Sequence, residues 1–339
     1  MLTFLFYLAL VLASCKADSI TDLYCKTISL HLIFLVPGVS THMKQLDRPL
    51  SDHIRLDMLG SSEIISTIKT EDKKVYFKIT SLDETFKSKE IVIPEKADSL
   101  NENLILTVRG EDDILVQTPK LNLTSNTIVG IENKFIHLNG DERASTVYRQ
   151  PLTQTSLAHP SDADLFLDTI ILPNGGFMTA FEMESEPSNF NIFAQIFDSM
   201  GVPSSPLFAI SPNKSTQERF PSICRLDNGK IIIIWVSLGS TENSSDIIYG
   251  KMLSGDGSIG TLPFQIAEFR RREGSYPKVE ALENGNFMVL WEERHLVGDD
   301  ASSVYFKIFR EDLSTLRIGH PINSKDFYAK QASVSRIPG

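Results

Sequence analysis

Four carboxylic acids are the residues of this chain whose types could do chemistry. They are Asp57, Asp164, Asp168 and Glu280, each in or beside a short apolar segment. Two carboxyl groups held roughly 5–10 Å apart can cleave a glycosidic bond, one acting as acid and the other as base or nucleophile. The four occupy unlike positions in their segments, and nothing in the sequence indicates that they converge. We therefore assign no catalytic residue and expect no catalysis; a glycoside hydrolase is the alternative.

A second acidic group follows apolar segments later in the chain. Its members are Glu182, Glu184, Glu186, Glu292, Glu293, Asp299 and Asp300. Clustered carboxylates could bind Ca²⁺, but a solvated acidic rim fits a chain of net charge −10 better. The seven histidines show no metal-ligand spacing. We expect neither a metal nor a cofactor.

One phrase recurs three times and organises the second half of the chain. Its anchors, Leu172, Leu226 and Leu282, are 54 and 56 residues apart, and an aromatic residue follows each anchor nine positions later. These aromatics are Phe181, Trp235 and Trp291. A fixed period near 55 residues is typical of one repeated supersecondary unit. Their repeated position at the end of an apolar run predicts that all three pack in a core rather than bind a ligand.

Each unit predicts four β-strands. An Asn-Gly pair, typical of a type I′ hairpin turn, separates the first strand from the second at 174–175, 228–229 and 284–285. The second strand, such as 231–235, is apolar at every position, so both of its faces must be covered. A third strand and a short fourth strand follow. The sequence therefore predicts an all-β fold, a β-propeller of four-stranded antiparallel blades.

The repeat predicts a single propeller domain over 18–339. Five whole blades are expected at about 53–100, 101–158, 159–212, 213–268 and 269–328. A sixth blade is expected to be shared between the two ends of the chain, from 26–52 together with 329–339. A fragment of a longer repeat array is the competing interpretation.

The N-terminal segment predicts export. Residues 1–17 carry a short apolar run followed by small residues, which is typical of a secretory signal peptide cleaved after Ala17. A lipid anchor at Cys15 is the alternative, and no transmembrane segment is expected once the signal is removed. The candidate N-glycosylation sites are Asn122, Asn213 and Asn243. In the predicted register all three lie on one face of the propeller.

A resemblance supports these expectations. The phrase P-x-V-x-x-L-x-N-G-x-F-x-V-x-W, carried by 277–291 and 221–235 and in part by 170–181, is similar to propeller-like repeats in large secreted or surface proteins of bacteria and ciliates. Such repeats imply adhesion or ligand display.

The predicted function is that of a secreted or cell-surface glycoprotein acting as a non-catalytic binding or adhesion module. Its partner would be an unidentified extracellular protein or carbohydrate. Nucleic acid is excluded by the net charge of −10, because such partners need a basic surface. A secreted glycoside hydrolase and a structural repeat fragment remain the alternatives.

Overall fold

The structure is a computed structural model that describes the following residues: 8–15, 28–34, 43–48, 56–59, 63–69, 75–81, 88–92, 105–109, 113–122, 127–138, 142–149, 166–186, 189–212, 217–240, 244–258, 260–270, 276–294, 302–319 and 328–336. Side chains are described between 106 and 319, with further gaps. The chain divides into two compact units. The first comprises Met1–Glu90, Leu226–Asn228 and Arg272–Gly339; the second comprises Ile91–Arg225 and Gly229–Arg271.

The described strands form six four-stranded antiparallel sheets. Sheet I contains β24 (Tyr328–Arg336), β1 (Leu8–Cys15), β2 (Ile28–Phe34) and β3 (Met43–Arg48), in that order. Sheet II contains β4 (Leu56–Leu59), β5 (Glu63–Lys69), β6 (Val75–Ser81) and β7 (Ser88–Val92). Sheet III contains β8 (Ile105–Val108), β9 (Asp113–Asn122), β10 (Thr127–His137) and β11 (Glu142–Arg149).

The remaining sheets carry the three copies of the phrase. Sheet IV contains β12 (Leu167–Ile171), β13 (Phe177–Glu186), β14 (Asn189–Phe197) and β15 (Phe208–Ala209). Sheet V contains β16 (Gln217–Arg225), β17 (Ile231–Leu238), β18 (Ser245–Leu253) and β19 (Phe264–Arg270). Sheet VI contains β20 (Lys278–Ala281), β21 (Phe287–Arg294), β22 (Ser302–Phe309) and β23 (Thr315–Ile318).

The predicted fold class is confirmed. Five sheets run in chain order from first to fourth strand, and the sixth combines strands from both ends of the chain. Sheets III, IV and V belong to the second unit, and sheets I, II and VI belong to the first apart from the end of β7. In the first unit β24 packs beside β4 and β20, and in the second β12 packs beside β8 and β16. First strands of successive sheets are therefore neighbours within each unit.

Sheet I contains a strand that its predicted blade lacked. The segments 26–52 and 329–339 supply only three strands, β24, β2 and β3, and the second position is filled by β1. Strand β1 lies inside the segment predicted to be a signal peptide, so cleavage after Ala17 would remove it. N-terminal sequencing of the exported protein determines whether it keeps β1 or begins after Ala17.

The apolar second strands are buried on both faces, as their sequences require. All residues of β17 are buried except Leu238, and Ile231 to Val236 have no exposed surface. Ile223, Ile233 and Trp235 of sheet V pack with Met178 and Ala180 of sheet IV in one hydrophobic cluster. The core of the second unit therefore lies between the sheets, where each sheet covers a face of its neighbour.

The Asn-Gly turns are not all of the predicted type. Asn284 and Gly285 both have positive φ, of 60° and 71°, and the Asn286 N–H donates to Glu283 O, which is a type I′ turn. In the corresponding Asn-Gly pairs of sheets IV and V only the glycines, Gly175 and Gly229, have positive φ. The type I′ prediction is therefore wrong for those two turns, because the asparagine stays outside the left-handed region and the following glycine alone reverses the chain.

Candidate functional site

The first strands carry the carboxylates predicted to matter, and the strand pairing shows which of them correspond. Asp57 pairs with Ile65, which pairs with Ile79. Glu280 pairs with Met288, which pairs with Ile308. Asp164 lies outside the described residues.

Asp57 and Glu280 occupy the same register position in sheets II and VI. Each lies two strands away from the final isoleucine of the same pentapeptide, V-Y-F-K-I, which is written at 75–79 and again at 304–308. The expectation that the four acids occupy unlike positions is therefore wrong for this pair. The isoleucine that shows the register lies 22 residues after Asp57 and 28 residues after Glu280, so the anchor leucines alone did not reveal the correspondence.

Asp168 cross-links two sheets instead. Its carboxylate Oδ2 accepts hydrogen bonds from the Ser222 hydroxyl at 2.8 Å and from the Ile223 N–H at 3.2 Å, both on the first strand of sheet V. Its Oδ1 accepts from the Thr169 N–H at 3.1 Å. Asp168 thus ties β12 to β16, which is a structural use of a carboxylate.

Glu182 forms the strongest polar contact between sheets IV and V. Its side chain is only 1% exposed and accepts a hydrogen bond from Arg219 Nε at 2.7 Å. The Phe220 N–H donates to the other carboxylate oxygen at 2.5 Å. A solvated acidic rim is therefore the wrong description of Glu182, and also of Glu292, which is 6% exposed.

Two further carboxylates are buried within sheet V. Glu218 accepts from the Trp235 indole N–H at 2.5 Å and from the Ser237 hydroxyl at 2.9 Å. Asp246 accepts from the Gly239 N–H at 2.8 Å. Each is thus an internal hydrogen-bond acceptor, as buried polar groups must be.

The repeat aromatics lie in buried positions. Phe181, Trp235 and Trp291 are 1%, 0% and 7% exposed. Each tryptophan stacks on a tyrosine of the adjacent strand, Trp235 on Tyr249 and Trp291 on Tyr305. The Trp291 indole N–H donates to Glu293 at 2.7 Å, and burial, followed by Glu293, raises the pKa of Tyr305.

The candidate glycosylation sites can be placed only in part. Asn122 is the last residue of β9 and pairs with Thr127 at the start of β10. Asn213 and Asn243 lie outside the described residues. They fall before β16 and after β17, whose described ends pair with one another through Gln217 and Leu238.

A polar layer lies between sheets III and IV, beside hydrophobic clusters that also join the two sheets. Gln117 donates to Asn133 Oδ1 at 2.9 Å and to the Thr179 hydroxyl at 3.2 Å. Thr169 completes the network by donating to Gln117 and by sharing a 2.9 Å hydrogen bond with Thr179. Gln117, Asn133 and Thr179 have no exposed surface. Most of these polar groups satisfy one another, as a buried network requires, but Asn133 Nδ2 is buried without a hydrogen-bond partner.

No group of three or more metal-binding side chains comes together among the residues that the structure describes. Within the same part of the chain, no helix has the length and apolar character needed to span a membrane.

No protein-family model matches the chain, and no curated protein matches its sequence. The solved structures that are similar to it include a lectin and two arabinanases. The SapL1 lectin in complex with α-methyl fucoside has a TM-score of 0.51 and 10% identity, over 92% of this chain and 96% of the lectin. A Penicillium chrysogenum α-L-arabinanase complexed with arabinobiose has a TM-score of 0.50 and 14% identity, over 87% and 82%. A Bacteroides thetaiotaomicron endo-arabinase has a TM-score of 0.47 and 15% identity, over 76% and 93%.

At such low identities the likeness concerns the fold alone. The β-propeller fold of this chain is one that glycoside hydrolases of the arabinanase kind share, and one that a lectin shares as well.

Proposed function

We propose that the protein is a glycoside hydrolase in which Asp57 and Glu280 supply the two catalytic carboxyl groups. The observation that carries the proposal is their shared register position on β4 and β20, the first strands that lie on either side of β24. Cleavage of a glycosidic bond needs one carboxyl group to protonate the leaving oxygen and a second to activate water or attack the anomeric carbon.

Four carboxylates of the second unit have structural roles. Asp168, Glu182, Glu218 and Asp246 all accept hydrogen bonds that hold strands or sheets together. If any of them turned away to act in catalysis, a donor that it now accepts from would be left unpaired. The fold, which propeller hydrolases share, provides the frame for the pair.

The test is hydrolysis by the full chain expressed through a secretory pathway, assayed on aryl arabinosides, aryl xylosides and aryl glucosides. Glu280→Gln and Asp57→Asn should each lower kcat by roughly 10²–10⁴-fold with an unchanged thermal midpoint. Glu283→Gln is the matched control, because Glu283 is an exposed acid in the turn three residues after Glu280. Equal activity in all four proteins would overturn the assignment.

The stereochemistry of the product sharpens the same experiment. Retention of the anomeric configuration, followed by NMR, corresponds to carboxyl groups about 5–5.5 Å apart, whereas inversion corresponds to about 6.5–9.5 Å.

A non-catalytic binding module is the second candidate, and one observation favours it. Asp168, a first-strand acid of the second unit, is tied to Ser222 and Ile223. Saccharide binding without turnover of any glycoside would select this candidate. Secretion and glycosylation of Asn122, Asn213 and Asn243 are also proposals, and peptide mapping of the exported protein tests them.

A further inference from the structure

The Arg219 side chain is held in one geometry by its surroundings. Its Nε donates to Glu182 at 2.7 Å. The guanidinium carbon lies 4.8 Å from the ring centre of Phe190, 5.5 Å from that of Phe220 and 5.9 Å from that of Phe166. An arginine fixed between aromatic faces and a carboxylate has already lost most of its rotamer freedom, so a ligand that binds it orders little more.

The guanidinium of Arg219 has N–H donors that no described residue accepts. Arginine has five N–H donors, and only Nε donates to a described residue. The side chain is 12% exposed, whereas its partner Glu182 is 1% exposed. The two Nη nitrogens, the donor fork of the guanidinium, therefore keep donors to offer beside a buried carboxylate.

The backbone next to Arg219 is strained. Phe220 has a φ of 58°, which is unusual for an aromatic residue, and Pro221 follows it. The register of β16 against β17 shifts between Arg219 and Ser222. Strain of this kind persists only where surrounding contacts enforce it, and it concentrates at ligand-binding sites. Here the Phe220 N–H bond to Glu182 holds the bulge in place.

We propose that the Arg219 fork binds the hydroxyl oxygens of a neutral saccharide. Glu182 neutralises the guanidinium and the chain carries a net charge of −10, so the position offers hydrogen bonds without attracting anions. The half-buried rings of Phe166 and Phe220, in edge contact at 4.7 Å, provide apolar surface beside the fork for the C–H face of a sugar ring. This position is distinct from the Asp57 and Glu280 pair, and the inference does not depend on hydrolysis.

The test is binding to the full chain, measured by isothermal titration with the methyl glycosides of glucose, galactose, mannose, fucose, xylose and arabinose and with methyl glucuronide. At least one neutral glycoside should bind. Arg219→Lys should weaken that binding at least tenfold while the thermal midpoint stays close to that of the wild type, because lysine keeps a cation beside Glu182 but lacks the planar fork.

Arg317→Lys is the matched control, since Arg317 is an exposed arginine that lies over a single ring, Phe306, at 5.9 Å. It should bind like the wild type. The inference is overturned if no neutral glycoside binds, if methyl glucuronide binds more tightly than methyl glucoside, or if Arg219→Lys binds unchanged. Binding that is lost in Arg219→Lys but kept in Glu280→Gln separates this site from the proposed catalytic pair.

Discussion

Sheets III and IV meet through a polar layer flanked by hydrophobic clusters, whereas sheets IV and V meet through apolar residues at the repeat position of that layer. Thr169 and Thr179 of sheet IV face Gln117; the corresponding residues of sheet V are Ile223 and Ile233, which pack on Met178 and Ala180. The polar groups of the second interface are instead the Glu182–Arg219 pair and the Asp168 bonds. The repeat thus specifies where strands lie, and either chemistry can occupy this position between sheets provided that most of the buried polar groups find partners; Asn133 Nδ2 is an exception.

The largest effect is expected from the charged contact of the apolar interface. Glu182→Ala leaves Arg219 and the Phe220 N–H without their acceptor, which should cost about 3–5 kcal/mol of unfolding free energy. Urea denaturation measures it. Glu184→Ala, on the same strand and partly exposed, should cost much less, and similar losses in both variants would contradict the buried role of Glu182.

A smaller effect is expected in the polar layer. Gln117→Leu leaves the hydroxyls of Thr169 and Thr179 and the amide of Asn133 with fewer partners, at a cost of about 1–3 kcal/mol. Adding Thr169→Val and Thr179→Val should recover part of the loss, because the interface then resembles that of sheets IV and V. A denaturation cycle measures the coupling, and purely additive losses would show that the layer is not one network.

A single hydrogen bond to a carboxylate tests the interface of sheets IV and V more finely. Ser222→Ala removes one of the two donors that sheet V gives to Asp168 Oδ2. Because the Ile223 N–H still donates to that oxygen, the expected loss is about 0.5–1.5 kcal/mol, below the usual range for a bond to a charged group. Ser258→Ala, in an exposed turn, is a suitable comparison for the same denaturation measurement. A greater loss of unfolding free energy in Ser258→Ala than in Ser222→Ala would contradict the stabilising role of the Ser222–Asp168 hydrogen bond.

The smallest effect is expected in how the unfolding free energy changes at low pH. Hydrogen bonds from Ser254, then Ser258, lower the pKa of Asp256 to about 2. Because the folded pKa is below the unfolded value, the stabilisation is present above about pH 4 and is lost as the pH falls towards 2. Asp256→Asn should therefore differ from the wild type at pH 6 and converge with it at pH 2. NMR titration of the carboxyl group checks the pKa, and a value near 4 would contradict the expected bonds.

The sequence was sufficient to predict the sheets because they depend on local signals. The leucine spacing, the apolar second strands and the two chain ends led to six sheets, one of them shared. Strand β1 was missed because its apolar residues equally satisfy the pattern of a signal peptide.

The hydrogen-bond partners of individual carboxylates could not be predicted from the sequence. Glu182 meets Arg219 across 37 residues and Asp168 meets Ser222 across 54, and such partners are set by how sheets pack, which the repeat does not encode. The β16 bulge at Phe220 was missed for the same reason, since no local signal marks a positive φ at phenylalanine. The correspondence of Asp57 with Glu280 was within reach through the repeated V-Y-F-K-I pentapeptide.

The reactivity of Cys224 can report how often β16, the first strand of sheet V, separates from its sheet. Cys224 is a buried cysteine outside any disulfide, 6% exposed, next to Ile223, whose N–H is bonded to Asp168. A thiol reacts with an alkylating reagent only when it is exposed and ionised, so the labelling rate of Cys224 counts how often β16 comes away from the sheet. The same residue that contributes a small side chain to the core can therefore time the opening of the strand that carries Arg219.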